Sequence, residues 1–119
     1  MLRISLEGSR KNFRPHESVS GTASWQLGES VKAIEIHLCF YTQGKGTSDV
    51  HIVETIRIDT PPENGSEKFS WQLPLSPYSF SGKLISLIWA VEVVVLPSAE
   101  AESITFEMSP NGSEINLYS

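Results

Sequence analysis

His37, Cys39 and His51 are the residues whose types and spacing come nearest to a metal site. Imidazole nitrogens and a thiolate suit zinc or copper, and on a strand His37 and Cys39, two positions apart, share a face. His51 belongs to the next strand, so the hairpin register decides whether three donors converge. With Cys39 opposite His51 they do; a slip of one residue sends His51 to the other face. No methionine or fourth ligand is near in sequence, and the expectation is ordinary packing of a small free thiol, with no metal and no cofactor.

Gly44-Lys45-Gly46-Thr47 has phosphate-loop residue types without the Gly-x-x-x-x-Gly-Lys spacing. A strand follows it, so no helix N-terminus awaits an anion, and the segment reads as part of a hairpin loop, Thr42 to Ser48. No Gly-x-Ser-x-Gly elbow singles out a serine nucleophile. The chain is therefore read as not an enzyme. Trp25, Trp71 and Trp89 offer the other chemistry, stacking on sugar rings, which makes a small-ligand or carbohydrate-binding β-sandwich the alternative class. All three sit in rows that read as inward-facing, where core packing is the simpler use of an indole.

The elements that would position these residues repeat with period two, as in strands with one face in a core and one in water. Leu2, Ile4 and Leu6 alternate with Arg3, Ser5 and Glu7. Val19 to Leu27 places its odd-numbered residues inward, and Ile34, Ile36, Leu38 and Phe40 form the inner row of a third strand. Val50 to Asp59 follows, stopped by Pro61-Pro62 because proline cannot donate to a ladder. Phe69, Trp71 and Leu73 repeat the inward row, and Ile104, Phe106 and Met108 make a last short strand. Leu84 to Leu96 is apolar on both faces, as for a central strand or one whose second face is covered. Asn64-Gly65-Ser66 and Asn111-Gly112-Ser113 read as Asn-Gly turns. Seven strands without helical periodicity predict an all-β, antiparallel sandwich spanning residues 1–108, followed by a polar tail at 109–119.

The chain has 119 residues and a net charge of −5, enough for one domain and too acidic to neutralise phosphates, so nucleic acid is not expected as a partner. Its apolar run at 84–96 is broken by Ser86 and Glu92 and falls short of the roughly 20 residues of a membrane-crossing helix. One cysteine closes no internal disulfide, and the alternating start lacks an apolar leader, which together predict a reducing, cytoplasmic setting. Charge is polarised along the chain: residues 1–14 hold four bases against one acid, and residues 98–119 hold four glutamates and no base. The two ends are either two solvated faces, or they neighbour one another or meet partners of opposite sign.

A family likeness is carried by Phe13-x-Pro15-x-Glu17-x-Val19-x-Gly21, by Phe69-Ser70-Trp71-Gln72-Leu73-Pro74, by Pro77-Tyr78-Ser79-Phe80-Ser81-Gly82, and by Ile88-Trp89-Ala90-Val91-Glu92-Val93. In this order they resemble the N-domain of the arrestin family, over residues 2 to 108. The resemblance implies an immunoglobulin-like (arrestin-like) β-sandwich of about seven strands that serves as a scaffold or adaptor. Pro15, Gly21 and Gly82 then serve turns and close approaches. Arrestins have two such domains, and their phosphate-sensing basic pair, interdomain polar core and clathrin-binding tail have no counterpart here, so receptor desensitisation is not carried over.

The expected partner is another protein. A chain-terminal strand such as Leu2 to Glu7 tends to lie at a sheet edge and can accept an incoming strand. Arg3, Ser5, Arg10, Lys11 and Arg14 are the candidate partner-binding residues: the bases favour an extended, acidic segment, and proline at Ser5 is the substitution expected to block strand addition. A homodimer is the second expectation, through the outer row Leu84, Ile88, Ala90 and Val94.

Overall fold

The computed structural model describes residues 1–44, 46–82 and 85–110, together with the backbone of 115–116. Ten strands are β1 (Leu2–Leu6), β2 (Asn12–Phe13), β3 (Ser18–Gln26), β4 (Ala33–Gly44), β5 (Thr47–Asp59), β6 (Asn64–Gln72), β7 (Phe80–Ser81), β8 (Ser86–Leu96), β9 (Ala101–Met108) and β10 (Ile115–Asn116). Seven of them are the strands that alternation predicts. The two-residue strands β2, β7 and β10 are additions. No helix among the described residues is long and apolar enough to cross a membrane.

The strands form two sheets. One is three-stranded, in the order β1-β3-β6, and wholly antiparallel. The other runs β10-β7-β8-β4-β5, with β9 beside β8 and β2 beside β9. Leu6, Val19, Ala23, Trp25 and Phe69 of the small sheet pack with Ile34, Ile36, Leu38, Trp89, Val91, Val93 and Val95 of the large one in a single core. The serines and threonine alternating with them in β3 face water, which is why that strand tolerates so many hydroxyls.

Gly21 is where β3 comes closest to both neighbours: a Cβ there would lie 2.1 Å from the Ser5 carbonyl oxygen and 2.7 Å from the Phe69 ring. Asn64-Gly65, expected as a turn, instead opens β6, paired with Gln26 and Trp25. Glycine is needed there because the Trp25 indole would lie 2.8 Å from a Cβ. The expected turn at 111–113 lies outside the described residues.

The loop expected at Thr42–Ser48 is ladder for most of its length. Gly44 pairs with Thr47, so the chain reverses over two residues, with Gly46 at φ +81°. In β8 the inner row from Leu87 to Val95 is buried, while Ile85, just before the strand, is exposed. Of the outer row expected to self-associate, Ala90 is already buried and Ile88 and Val94 are half-buried within the chain; Leu84 lies outside the described residues. That row is mostly covered without a second copy.

The two ends of opposite charge meet. β2 runs parallel to β9, the Glu107 amide donates to the Lys11 carbonyl at 2.8 Å, and the Ser109 amide donates to the Phe13 carbonyl at 3.1 Å. Beyond Ser109, β10 returns to pair in parallel with β7.

Candidate functional site

β1 is an edge strand of the small sheet, hydrogen-bonded to β3 alone among the described residues, with β9 of the other sheet running close by. Gln26 donates its amide to the Met1 carbonyl at 2.8 Å and its carbonyl accepts from the Met1 amino group, one residue ahead of the Leu2–Trp25 pair. Antiparallel alternation then turns the N–H and C=O of Arg3 and Ser5 toward β3, and those of Leu2, Ile4 and Leu6 toward the open side. Proline at Ser5 would therefore break the internal ladder. The groups available to an incoming strand belong to the even-numbered residues.

The side chains of Arg3 and Ser5 project to the outer face of this sheet. Arg3 stands in a row with Ser24 and Ser66, and Ser5 in a row with Thr22 and Lys68. Ser20 and Ser70 share a hydroxyl hydrogen bond of 2.7 Å in the next row. Two cations thus stand on a lawn of small hydroxyls, in a protein that is acidic as a whole. Sequence reading missed Lys68, although its parity with Ser66, Ser70 and Gln72 in an alternating strand could have placed it there.

Arg10, Lys11 and Arg14 do not join that patch. The Arg10 guanidinium pairs with Glu17, donates to the Asn12 carbonyl at 2.8 Å and covers the Phe13 ring at 4.4 Å. The Arg14 amide donates to the same Glu17 carboxylate at 2.6 Å. The Arg10 hydrogen bond first, then that of Arg14, hold the Glu17 carboxyl below its ordinary pKa. With the Leu73 amide bonded to the Glu17 carbonyl at 2.9 Å, the Pro15-x-Glu17 segment clamps the start of β3 to the end of β6. Arg10 is a structural cation. Lys11 instead borders a shallow groove with Tyr41, Ile88 and Thr105 on the large sheet.

The possible metal donors are separated by a β-bulge. Leu38 pairs with Glu54 and Cys39 with Ile52, so Val53 is an extra residue, and His51 falls opposite Phe40. Its ring stacks on Phe40 at 4.9 Å, on the face away from Cys39. His37 Nε2 lies 2.9 Å from Glu35 Oε1, and its Nδ1 lies 3.9 Å from Glu92 Oε1. Burial, with a smaller push from Glu92, raises the Cys39 thiol to about 11. Native protein should leave Ellman's reagent unreacted at mildly alkaline pH and release one thiol equivalent on denaturation; rapid reaction of the native chain would contradict the buried placement.

The tryptophans are structural too. Trp25 and Trp89 are buried, their indole N–H groups donating to the Pro62 and Pro77 carbonyls at 2.9 and 2.8 Å. Trp71 is half-buried and stacks on Phe69 at 5.1 Å. Two of the three indoles that a sugar platform would use are enclosed, and Trp71 keeps a partly exposed face.

Two antiparallel-rich sheets closed over one core, with the proline-acid clamp leading into β3, define an arrestin-like β-sandwich. Among solved structures the chain is similar to Spo0M, the sporulation control protein of Bacillus subtilis, with a TM-score of 0.63 and 18% identity over 91% of this chain. The match takes in 48% of that protein, so the chain spans about half its length. No protein-family model and no curated protein sequence matches the chain.

Proposed function

We propose that this domain is a non-catalytic protein-interaction module, an adaptor or scaffold of the cytoplasm, that takes an extended acidic segment of another protein along β1. The observation that carries the reading is the β1 edge, where Leu2, Ile4 and Leu6 direct main-chain donors and acceptors outward beside Arg3, with Lys68 on the same face two strands away on β6. Main-chain pairing would supply most of the affinity, and the two cations would choose an acidic strand over a basic one. The residues with catalytic or metal-binding chemistry are taken up in structural roles: His37 beside carboxylates, Cys39 buried, Trp25 and Trp89 in the core.

The test is binding of an array of extended, acidic peptides, followed for the best binder by fluorescence anisotropy. Arg3→Glu should weaken binding roughly fivefold, the ~1 kcal/mol of one exposed charge pair, and flatten the salt dependence, while Lys68→Glu, two strands further off, should weaken it less. Leu2→Pro removes an outward donor and should weaken binding further. Equal affinity and equal salt dependence in all three variants would remove β1 as the site.

A further inference from the structure

The large sheet also ends in an edge strand, and it is longer than β1. β5 has 13 residues and, among the described residues, is hydrogen-bonded to β4 alone. The Thr60 amide donates to the Lys32 carbonyl at 2.9 Å, in line with the β4–β5 register, so Glu54, Ile56 and Ile58 turn their main chain toward β4. Beyond the bulge at Val53 the parity changes. The hairpin closes on Gly44 and Thr47, so Asp49 and His51 turn inward and Ser48, Val50 and Ile52 turn their N–H and C=O groups to the open side.

The bulge therefore divides this edge into two unlike halves. On the half after it stand Arg57 and Asp59, linked at 2.9 Å, with Arg57 also bonded to Glu35 at 2.7 Å. Charges of this kind are the usual guard of an edge strand. The half before the bulge lacks that guard in its outward row: Val50 is 62% exposed and Ile52 55%.

We propose that residues Ser48 to Ile52 pair antiparallel with the same segment of a second copy, about a two-fold axis at Val50. This is independent of the β1 reading. In that register Val50 meets the second copy's Val50, and each Ser48 meets an Ile52, all with outward main-chain groups. On the opposite face each Asp49 stands across from a His51, and the pairing occurs twice. Each Asp49 carboxylate thereby faces a hydrogen-bonding imidazole across the seam. A two-fold axis at Arg57 would set two guanidiniums against each other, and a register spanning the bulge would set Val50 against Arg57; both are disfavoured. An acidic foreign strand would add its charge to Asp49, whereas a second copy answers Asp49 with an imidazole. The occupant is thus a second copy of this chain.

Sedimentation equilibrium of the full chain from micromolar to millimolar concentration should show a reversible dimer, and Val50→Lys should return it to monomer with an unchanged melting temperature. Engineered cysteines test the register. In a hydrogen-bonded pair the two Cα atoms lie about 5.5 Å apart, within disulfide range, so Val50→Cys should give a linked dimer under mild oxidation. Thr55→Cys, outward on the other half, should stay monomeric, and the buried Cys39 should stay silent in both. A monomeric wild type at millimolar concentration, a dimer that persists in Val50→Lys, or equal cross-linking at 50 and 55 would each overturn the proposal.

Discussion

Gly21→Val is expected to cost about 3–5 kcal/mol, a large part of the 5–15 kcal/mol that holds a domain of this size together. β3 is the middle strand of its sheet, and the position is hemmed in on both sides: Ser5 backbone from β1 at 2.1 Å from a Cβ, and the Phe69 ring from β6 at 2.7 Å. Backbone on one side and a core aromatic on the other leave no flexible side-chain end to swing away, and valine adds two methyl groups to the clash. Thermal unfolding should report a midpoint roughly 12–20 °C below wild type. A Gly21→Val protein with a wild-type midpoint would mean that β1 can leave its place at little cost, and with it the edge described above.

Trp89→Ala should be nearly as damaging, at about 3–5 kcal/mol from lost burial and the cavity left behind. Trp89 is fully buried, lies 5.1 Å from the Phe40 ring and 6.0 Å from the Phe106 ring, and ties the Pro77 carbonyl through its indole N–H. It joins β4, β8, β9 and the segment before β7 at one point. Trp89→Phe separates the two contributions: an aromatic ring remains, but Pro77 loses its donor, which costs about 1–3 kcal/mol. Urea unfolding of both variants decides it. A loss below about 1 kcal/mol in the alanine variant would show that the core closes around the gap.

Most of the seven long strands were legible because one face lies toward water, which imposes the polar half of the alternation, while β8 was legible from its apolar run on both faces. Ser20, Thr22 and Ser24 against Val19, Ala23 and Trp25 leave little choice of face. What escaped the reading depends on partners distant in sequence. Asn12–Phe13 is strand only because Glu107–Met108 lies beside it, and Phe80–Ser81 only because β8 does. The bulge at Val53 is invisible in composition, since Val53 is as good a strand residue as its neighbours, yet it alone moves His51 off the face of Cys39. For the candidate site, edge position was legible from terminal placement. The alternation of outward main-chain groups was not, because it follows from the Met1–Gln26 pairing, and the split of Arg10 from Arg3 follows from Glu17.

Among the described residues the ladder between β2 and β9 is the strand pairing most distant in sequence. It joins Asn12 and Phe13 to Glu107 and Met108, so about 95 residues (107 − 12) form the loop it closes, and such distant closures place a sandwich among domains that fold in milliseconds to seconds. During synthesis the partners of Lys11 and Phe13 are made long after them: Glu107 and Ser109 must leave the ribosome before either carbonyl can be capped. Until then Phe13, buried in the finished core, faces solvent on an incomplete edge, and the nascent domain is at its most open to sticking to whatever strand is near.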